Sequence, residues 1–314
     1  MNVQDLLAEL IVVIPAHNEE FSIGDTILEV RNILPNTEIY VIDNASQDNT
    51  ALISKSFGAK VIFEPALGKG RAFRACLSKL PKKYTAILLV DGDATYEIAP
   101  VLQAIKDVKY NGVGMVVGTR ISENSNSEIY RKGHKLGNKI FSYINKIFYS
   151  SEIKDSLSGW RLMSHEFVGT FPGNSKGFDL ETELNAHAIN FDMATKNIDV
   201  KYRARKKESQ SKLKTFRDGI KILASNIKIA FQNRPLIYLG LPSTVSIFAS
   251  VPLIFRAVNG YIKTGQVALL PSLVVGMSLF IGGITFLAIG YVLQELRRVY
   301  ISTIRQNYNL RSNK

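Results

Sequence analysis

Short apolar runs recur through the first two-thirds of the chain, at Leu10–Ile14, Ile39–Ile42, Lys60–Phe63, Ala86–Val90 and Val113–Val117, with segments of helical character between them. Each run has the length and the Ile, Leu and Val content of a strand, and strand–helix alternation of this kind predicts an α/β layered domain with a largely parallel sheet. The first intervening helix carries start signals: Ser22 at the N-cap and Asp25 at the third helical position precede Ile27, Val30 and Leu34 at helical spacing. Asp48 or Thr50 is placed to cap the second.

The pattern changes after Arg234. Leu236–Phe255 runs for 20 residues and Val267–Leu293 for 27 without a formal charge. Either is long enough to cross a hydrocarbon core of about 30 Å as a helix. Pro242 and Pro252 are expected to kink the first span, which lipid-embedded helices tolerate. The connecting segment Arg256–Gln266 holds two basic residues, whereas Arg297, Arg298, Arg305, Arg311 and Lys314 follow the second span. Positive charge stays on the cytoplasmic side, so a hairpin with both ends inside is expected.

Upstream, Lys212–Arg234 mixes Leu213, Phe216, Ile220, Leu223 and Ile227 with six basic residues. That is the pattern of a helix lying in the headgroup plane, or of an ordinary amphipathic helix packed on the domain. The expected division is a catalytic domain over 1–211, a juxtamembrane helix over 212–234, a transmembrane hairpin over 235–296 and a basic tail over 297–314.

Charge placement sharpens the picture. Of the net +12 on 314 residues, residues 1–210 contribute almost nothing, with 26 Lys and Arg against 25 Asp and Glu, while residues 211–314 hold 13 against 2. Basic residues that flank apolar segments point to an anionic membrane surface rather than to nucleic acid. The lone Cys76 excludes an intrachain disulfide and a cysteine-based zinc site. Met1–Leu10 carries Asp5 and Glu9 and no basic stretch, so it does not read as a secretory signal, and the first domain is expected in the cytoplasm.

Chemistry enters at the strand ends, where parallel sheets bind ligands. The run Ala86–Val90 stops at Asp91-Gly92-Asp93, two carboxylates one residue apart. Oxygen ligands there suit Mg2+ or Mn2+ bridging phosphates, although Asp and Gly also favour a plain turn. Polar segments follow the first two strands as well, Pro15-Ala16-His17-Asn18-Glu19-Glu20 and Asp43-Asn44-Ala45-Ser46-Gln47-Asp48. Gly68-Lys69-Gly70-Arg71 opens a helix in a form suited to a pyrophosphate, without the spacing of the nucleotide-triphosphatase loop.

In order, Ile14-Pro15-Ala16-His17-Asn18-Glu19-Glu20, Val41-Ile42-Asp43-Asn44-Ala45-Ser46-Gln47-Asp48, Gly68-Lys69-Gly70, Asp91-Gly92-Asp93 and Gly118-Thr119-Arg120 resemble the signatures of family 2 glycosyltransferases with the GT-A fold. Asp155-Ser156-Leu157-Ser158-Gly159-Trp160-Arg161, Tyr202-Arg203-Ala204-Arg205 and Ser211-Lys212-Leu213 resemble the polyprenyl-phosphate branch, which includes dolichyl-phosphate mannose synthases. The resemblance covers residues 10 to about 220, and two C-terminal membrane helices also occur in that branch. Where the branch usually has Asp-Asp-Gly-Ser this chain has Asp43-Asn44-Ala45-Ser46, and Thr95 replaces a common Gln after the aspartates.

The resemblance implies a donor site for a UDP- or GDP-linked sugar at Pro15, Asn18, Glu19, Asp43, Ser46, Lys69 and Asp91, with Asp91 and Asp93 serving Mg2+ or Mn2+ and Asp93 as direct ligand. It implies an acceptor site for a polyprenyl phosphate, for which Arg120, Arg131, Arg205 and Lys212 are the cationic candidates. Asp155 and Glu181 or Glu183 are candidates for gripping sugar hydroxyls, the two glutamates being equally suited to the first turn of a helix. Trp160 belongs either on the sugar or in the core.

A sugar hydroxyl needs a proton acceptor when it attacks, whereas a lipid phosphate is already anionic and needs cations that hold two anions together. Direct displacement inverts the anomeric carbon. A polysaccharide-extending synthase and a non-catalytic nucleotide-sugar-binding scaffold are the alternatives, and a homo-oligomer stays open.

Overall fold

The computed structural model describes residues 9–122, 153–173, 175, 177, 180–205, 234–266 and 268–312. The chain falls into two units, 1–227 and 228–314. In the first, β1 (Leu10–Ala16), α1 (Ile23–Ile33), β2 (Glu38–Asp43), α2 (Thr50–Ser56), β3 (Lys60–Phe63), α3 (Lys69–Leu77), β4 (Ala86–Leu89) and α4 (Val101–Tyr110) alternate strictly. They are followed by β5 (Met115–Ser122), β6 (Arg161–Ser164), α5 (His165–Thr170), α6 (Leu180–Asn190) and β7 (Thr195–Tyr202).

The seven strands form one sheet in the order β3-β2-β1-β4-β6-β5-β7. All pairings are parallel except those of β6, which runs against both β4 and β5. Six strands therefore end at one edge, and the reversed β6 starts there.

Successive side chains of a strand point to opposite faces, so a strand covered on both sides must be apolar throughout. In β1, Leu10, Val12, Ile14 and Ala16 pack with Ile23, Ile27 and Val30 of α1 and with Val101, Ala104 and Ile105 of α4. Ile11 and Val13 point the other way, toward Ala72, Phe73 and Cys76 of α3 and Phe167 of α5. The expected α/β layering is the observed one.

Three local details differ from expectation. Ser22 stands at the N-cap of α1 but makes no side-chain cap bond; its hydroxyl proton is shared between Glu19 Oε2 (3.0 Å) and Gly92 O (3.1 Å), so it ties the β1 loop to the β4 loop. The run Val113–Val117 starts its strand two residues later and continues to Ser122. At α2 neither expected residue is the cap: Asn49 stands at the N-cap without a side-chain cap bond, and Asp48, one position earlier, accepts from Thr50 N at 2.9 Å through Oδ1.

The second unit consists of α7 (Pro235–Thr264) and α8 (Leu270–Ser312), both long and apolar enough to cross a membrane by length and composition. Pro242 and Pro252 lie inside α7. On α8, Gly276, Gly283 and Gly290 stand where a Cβ would come within 2.8 Å of Ile254, 2.6 Å of Ile247 and 3.2 Å of Leu239, so small residues let the two backbones approach. Leu241, Phe248, Phe255 and Ile262 face outward from α7, an apolar exterior suited to lipid.

Candidate active site at the carboxyl edge of the sheet

The loops after β1, β2 and β4 each hold a non-glycine residue in the left-handed region, Asn18 (φ 49°), Ala45 (φ 55°) and Ala94 (φ 56°). An alanine there costs of order 1 kcal/mol and persists only where the surroundings over-determine it, which is common at functional sites. The surroundings here are a net of bonds between loops. Asn18 N donates to Ser46 Oγ at 3.0 Å, Gln47 N to Asn18 Oδ1 at 2.7 Å and Glu19 N to Thr50 Oγ1 at 2.8 Å. Ser46 N in turn donates to Asp43 Oδ1 at 3.1 Å.

Asn44 has a structural reason to be an amide. Its Nδ2 donates to Glu64 O (3.1 Å) and Ala66 O (2.8 Å), while its Oδ1 accepts from Gly68 N (2.7 Å). An ionised aspartate cannot donate, so the Asn found where the resembling branch has Asp clips the loop that leads into α3.

That loop delivers Lys69. Its ammonium lies 2.5 Å from Asp91 Oδ1 and 2.5 Å from Glu181 Oε1, which joins the ends of three elements, α3, β4 and α6. Burial by itself would lower the Lys69 pKa, but Asp91 and Glu181 outweigh it and hold the ammonium above the ordinary lysine range. Two residues on, the buried Asp93 accepts at Oδ1 from Thr95 N (3.2 Å) and Thr95 Oγ1 (2.5 Å), and its Oδ2 pairs with the Arg205 guanidinium.

A fourth ion pair adjoins these three. Arg120 clasps Asp155 through Nε (2.6 Å) and Nη2 (2.8 Å), and its guanidinium carbon sits 5.5 Å from the Tyr202 ring centroid. Tyr202 meets Tyr96 edge-on at 5.1 Å, and the Tyr96 hydroxyl accepts from Gly159 N at 2.9 Å. Gly159 packs directly on Asp91, so this tyrosine pair links the Arg120–Asp155 clasp to the Asp91–Asp93 loop. Burial raises the Tyr96 hydroxyl above its usual range, with Arg120 pulling the other way, and the hydroxyl stays protonated.

The rest of this segment is core. Trp160 is fully buried among the residues under α1 and α4. Arg161 is buried too and spends its guanidinium on Ser158 O (3.0 Å), Ser156 O (2.9 Å) and Asn185 Oδ1 (2.6 Å), which shapes the turn carrying Asp155 and Gly159. Glu183 takes Ser175 N at 2.8 Å, an acid at the start of α6 holding the chain before it. His17 Nδ1 lies 2.7 Å from Asn44 O, within the loop net.

Asp91 and Asp93 are hard oxygen donors one residue apart in the loop after β4, and among the described residues no three His, Cys, Asp or Glu side chains gather as a full ligand set. Mg2+ and Mn2+ are held in this way where substrate phosphates complete the shell, so the residues fit such an ion together with a diphosphate.

Of the residues singled out by sequence, Asp91, Asp93, Lys69 and Arg205 form one connected cluster, and Arg120 with Asp155 adjoins it. Pro15 (paired in the sheet with Ile42), Asn18, Glu19, Asp43 and Ser46 lie together at the β1–β2 ends. Arg131, Lys212 and the segment 206–233 lie outside the described residues. Sequence reasoning passed over Tyr96 and quoted Gly159 and Arg203 only within motifs, without a role; Tyr96 and Gly159 touch site residues, and Arg203 stands two positions before Arg205.

A mostly parallel seven-stranded sheet with a paired-aspartate loop at its carboxyl edge is a GT-A-type architecture. The sequence profile "Glycosyl transferase family 2" matches residues 11–170, and the chain belongs to that family of glycosyltransferases. It is 28% identical over 233 residues to glycosyltransferase AglJ of Haloferax volcanii, covering 73% of this chain and 74% of the relative. It is 25% identical over 227 residues to a dolichyl-phosphate hexose transferase of the same organism, covering 72% and 96%. A crystal structure of Mycobacterium tuberculosis glucosyl-3-phosphoglycerate synthase with Mn2+, UDP and glucosyl-3-phosphoglycerate shares the fold, with a TM-score of 0.56 at 17% identity over 73% of this chain and 84% of that one.

Proposed function

We propose that this glycosyltransferase moves a sugar from a nucleotide-diphosphate sugar to a polyprenyl phosphate, with inversion at the anomeric carbon, at the cytoplasmic face of a membrane. The observation that carries the proposal is that the acids Asp91, Asp93, Asp155 and Glu181 are each already committed to an Arg or Lys. A site built for a hydroxyl acceptor needs a group poised to take a proton. A site that gathers guanidinium and ammonium groups around its carboxylates is suited to an anionic acceptor instead. The dolichyl-phosphate hexose transferase among the relatives and the two apolar helices after the domain support a lipid as the carrier of that anion.

In this proposal Pro15, Asn18, Glu19, Asp43 and Ser46 line the base and ribose, and Asp91 and Asp93 hold Mg2+ or Mn2+ with the donor diphosphate. When bound, such an ion offsets the charge that develops on the leaving diphosphate. Lys69 stands beside Asp91 to meet the diphosphate, and Glu181 faces the sugar from the other side of that ammonium. Asp155 orients Arg120, which with Arg205 and with Arg131 and Lys212 receives the acceptor phosphate. The catalytic domain spans 1–211, followed by a membrane-surface helix over 212–234, a hairpin over 235–296 and a basic tail over 297–314.

Membranes holding the full chain, supplied with labelled UDP- and GDP-sugars and Mg2+ or Mn2+, should transfer label to polyprenyl phosphate and not to free polyprenol. Arg205→Ala should raise KM for polyprenyl phosphate far more than KM for the donor. Transfer confined to hydroxyl-bearing acceptors would refute the proposal.

A further inference from the structure

We propose that Glu29, on α1 and outside every motif of the site, is a positioning residue that sets Arg205 through Arg203. The proposal rests on the acceptor role given to Arg205 above. Glu29 accepts three N–H groups from two other segments of the chain. Arg203 reaches it with both ends of its fork, Nη1 to Oε2 at 2.6 Å and Nη2 to Oε1 at 3.2 Å, and Ile98 N donates to Oε1 at 3.1 Å. A bidentate guanidinium–carboxylate pair fixes orientation as well as distance.

What it orients is the chain leaving the sheet. Glu97 N donates to Lys201 O (3.1 Å), Tyr96 bridges Tyr202, and Arg203 N donates to Thr95 O (2.8 Å). This short ladder runs along the back of the Asp93 loop, since Thr95 is also the residue that donates twice to Asp93. β7 ends at Tyr202, so Arg203 is the first residue beyond the sheet, and Arg205 follows two positions later on Asp93. Glu29 thus braces the exit of β7 against α1 and the start of α4, and the Arg205 guanidinium arrives at Asp93 from a braced root. An isolated pair with Arg203 41% and Glu29 23% exposed would add little to stability. Its effect is therefore expected in acceptor binding more than in folding.

Steady-state kinetics of the full chain with polyprenyl phosphate test this. Glu29→Gln and Arg203→Gln are each expected to raise KM for polyprenyl phosphate about fivefold and to leave donor KM within about twofold, the size of a coupled pair. In an Arg205→Ala background, Glu29→Gln should add nothing further. Exchanging the charges with Glu29→Arg and Arg203→Glu together should recover part of the loss, since an arginine at 29 cannot accept from Ile98 N; if the exchanged protein does not fold, the two single variants and the Arg205→Ala background decide. An unchanged acceptor KM in Glu29→Gln, equal effects on both substrates, or full additivity with Arg205→Ala overturns the positioning role alone. An unchanged acceptor KM in Arg205→Ala itself overturns the acceptor reading and this inference with it.

Discussion

Gly159 stands against the carboxylate of Asp91 so closely that a methyl group on its Cα would lie 2.1 Å from Asp91 Oδ2. No side chain larger than hydrogen fits there while the Asp91 carboxylate keeps its place. Gly159→Ala must displace the Asp91 carboxylate from this position. Displacement of a catalytic group by about 1 Å can cost on the order of a hundredfold in rate. Turnover of Gly159→Ala should fall by about that factor while circular dichroism stays that of the parent; a variant with parental turnover would show that Asp91 has no fixed place in the reaction.

Asp93→Ala should abolish sugar transfer and leave the protein in the membrane fraction, because Asp93 belongs to the loop after β4 and not to α7 or α8. Chelation by EDTA should stop transfer in the parent, and added Mn2+ or Mg2+ should restore it. Mn2+ binding followed by electron paramagnetic resonance in the presence of UDP should weaken at least tenfold in Asp93→Ala, the loss typical when a ligand or its close support is removed.

His187 gives the catalytic unit an acid-sensitive core. The ring is buried against Phe167, Phe171 and Phe191, with Nε2 3.0 Å from Thr170 Oγ1 and 3.1 Å from Phe167 O. Burial lowers its pKa to about 4, the Phe167 carbonyl pulling weakly the other way. Above about pH 6.5 the ring is neutral folded or unfolded and stability is complete. As pH falls from there toward 4 the unfolded chain takes up the proton first, which removes roughly 3 kcal/mol, and below that window the loss levels off. Chemical denaturation of the full chain in detergent should show this fall, and His187→Gln should flatten it.

Arg161→Met should destabilise the catalytic unit more than a surface change would. It leaves Ser158 O and Asn185 Oδ1 without the buried donor they now share, at about 1–3 kcal/mol for each unsatisfied group. Burial has already drawn the Arg161 pKa down to about 10, with Glu181 and Asp155 opposing, and the group remains charged at neutral pH. A fall of about 5 °C or more in melting temperature is expected, with Arg161→Lys in between because a point charge cannot reproduce the fork. An unchanged melting temperature in Arg161→Met would remove this residue from the supports of the Asp155–Gly159 turn.

The strands β1, β2 and β4 were legible because burial on both faces demands a short run of apolar residues bounded by polar ones. The loops at their ends were legible for the complementary reason: Asp43, Asp91 and Asp93 interrupt apolar runs abruptly. β6 escaped notice because its four residues include the buried Arg161. β7 escaped because it lies at the sheet edge, where Thr195-Lys196-Asn197-Ile198-Asp199 reads as loop. Tyr96 gave no local signal and Thr95 showed only as a departure from the resembling branch, since what they do depends on Gly159 and Arg203 arriving from far along the chain.

Local order of residues, then, was sufficient for the layered domain, the carboxylate pair and the two apolar helices, because strand burial, turn chemistry and helix length each act over a few neighbouring positions. Partnership was decided by the sheet. Lys69 with Glu181 and Asp93 with Arg205 are each 112 residues apart, and Glu29 with Arg203 is 174 apart. No periodicity in a chain encodes such separations; they come from the order in which seven strands lie side by side, which brings the ends of β4 and β7 and the start of α6 to one edge.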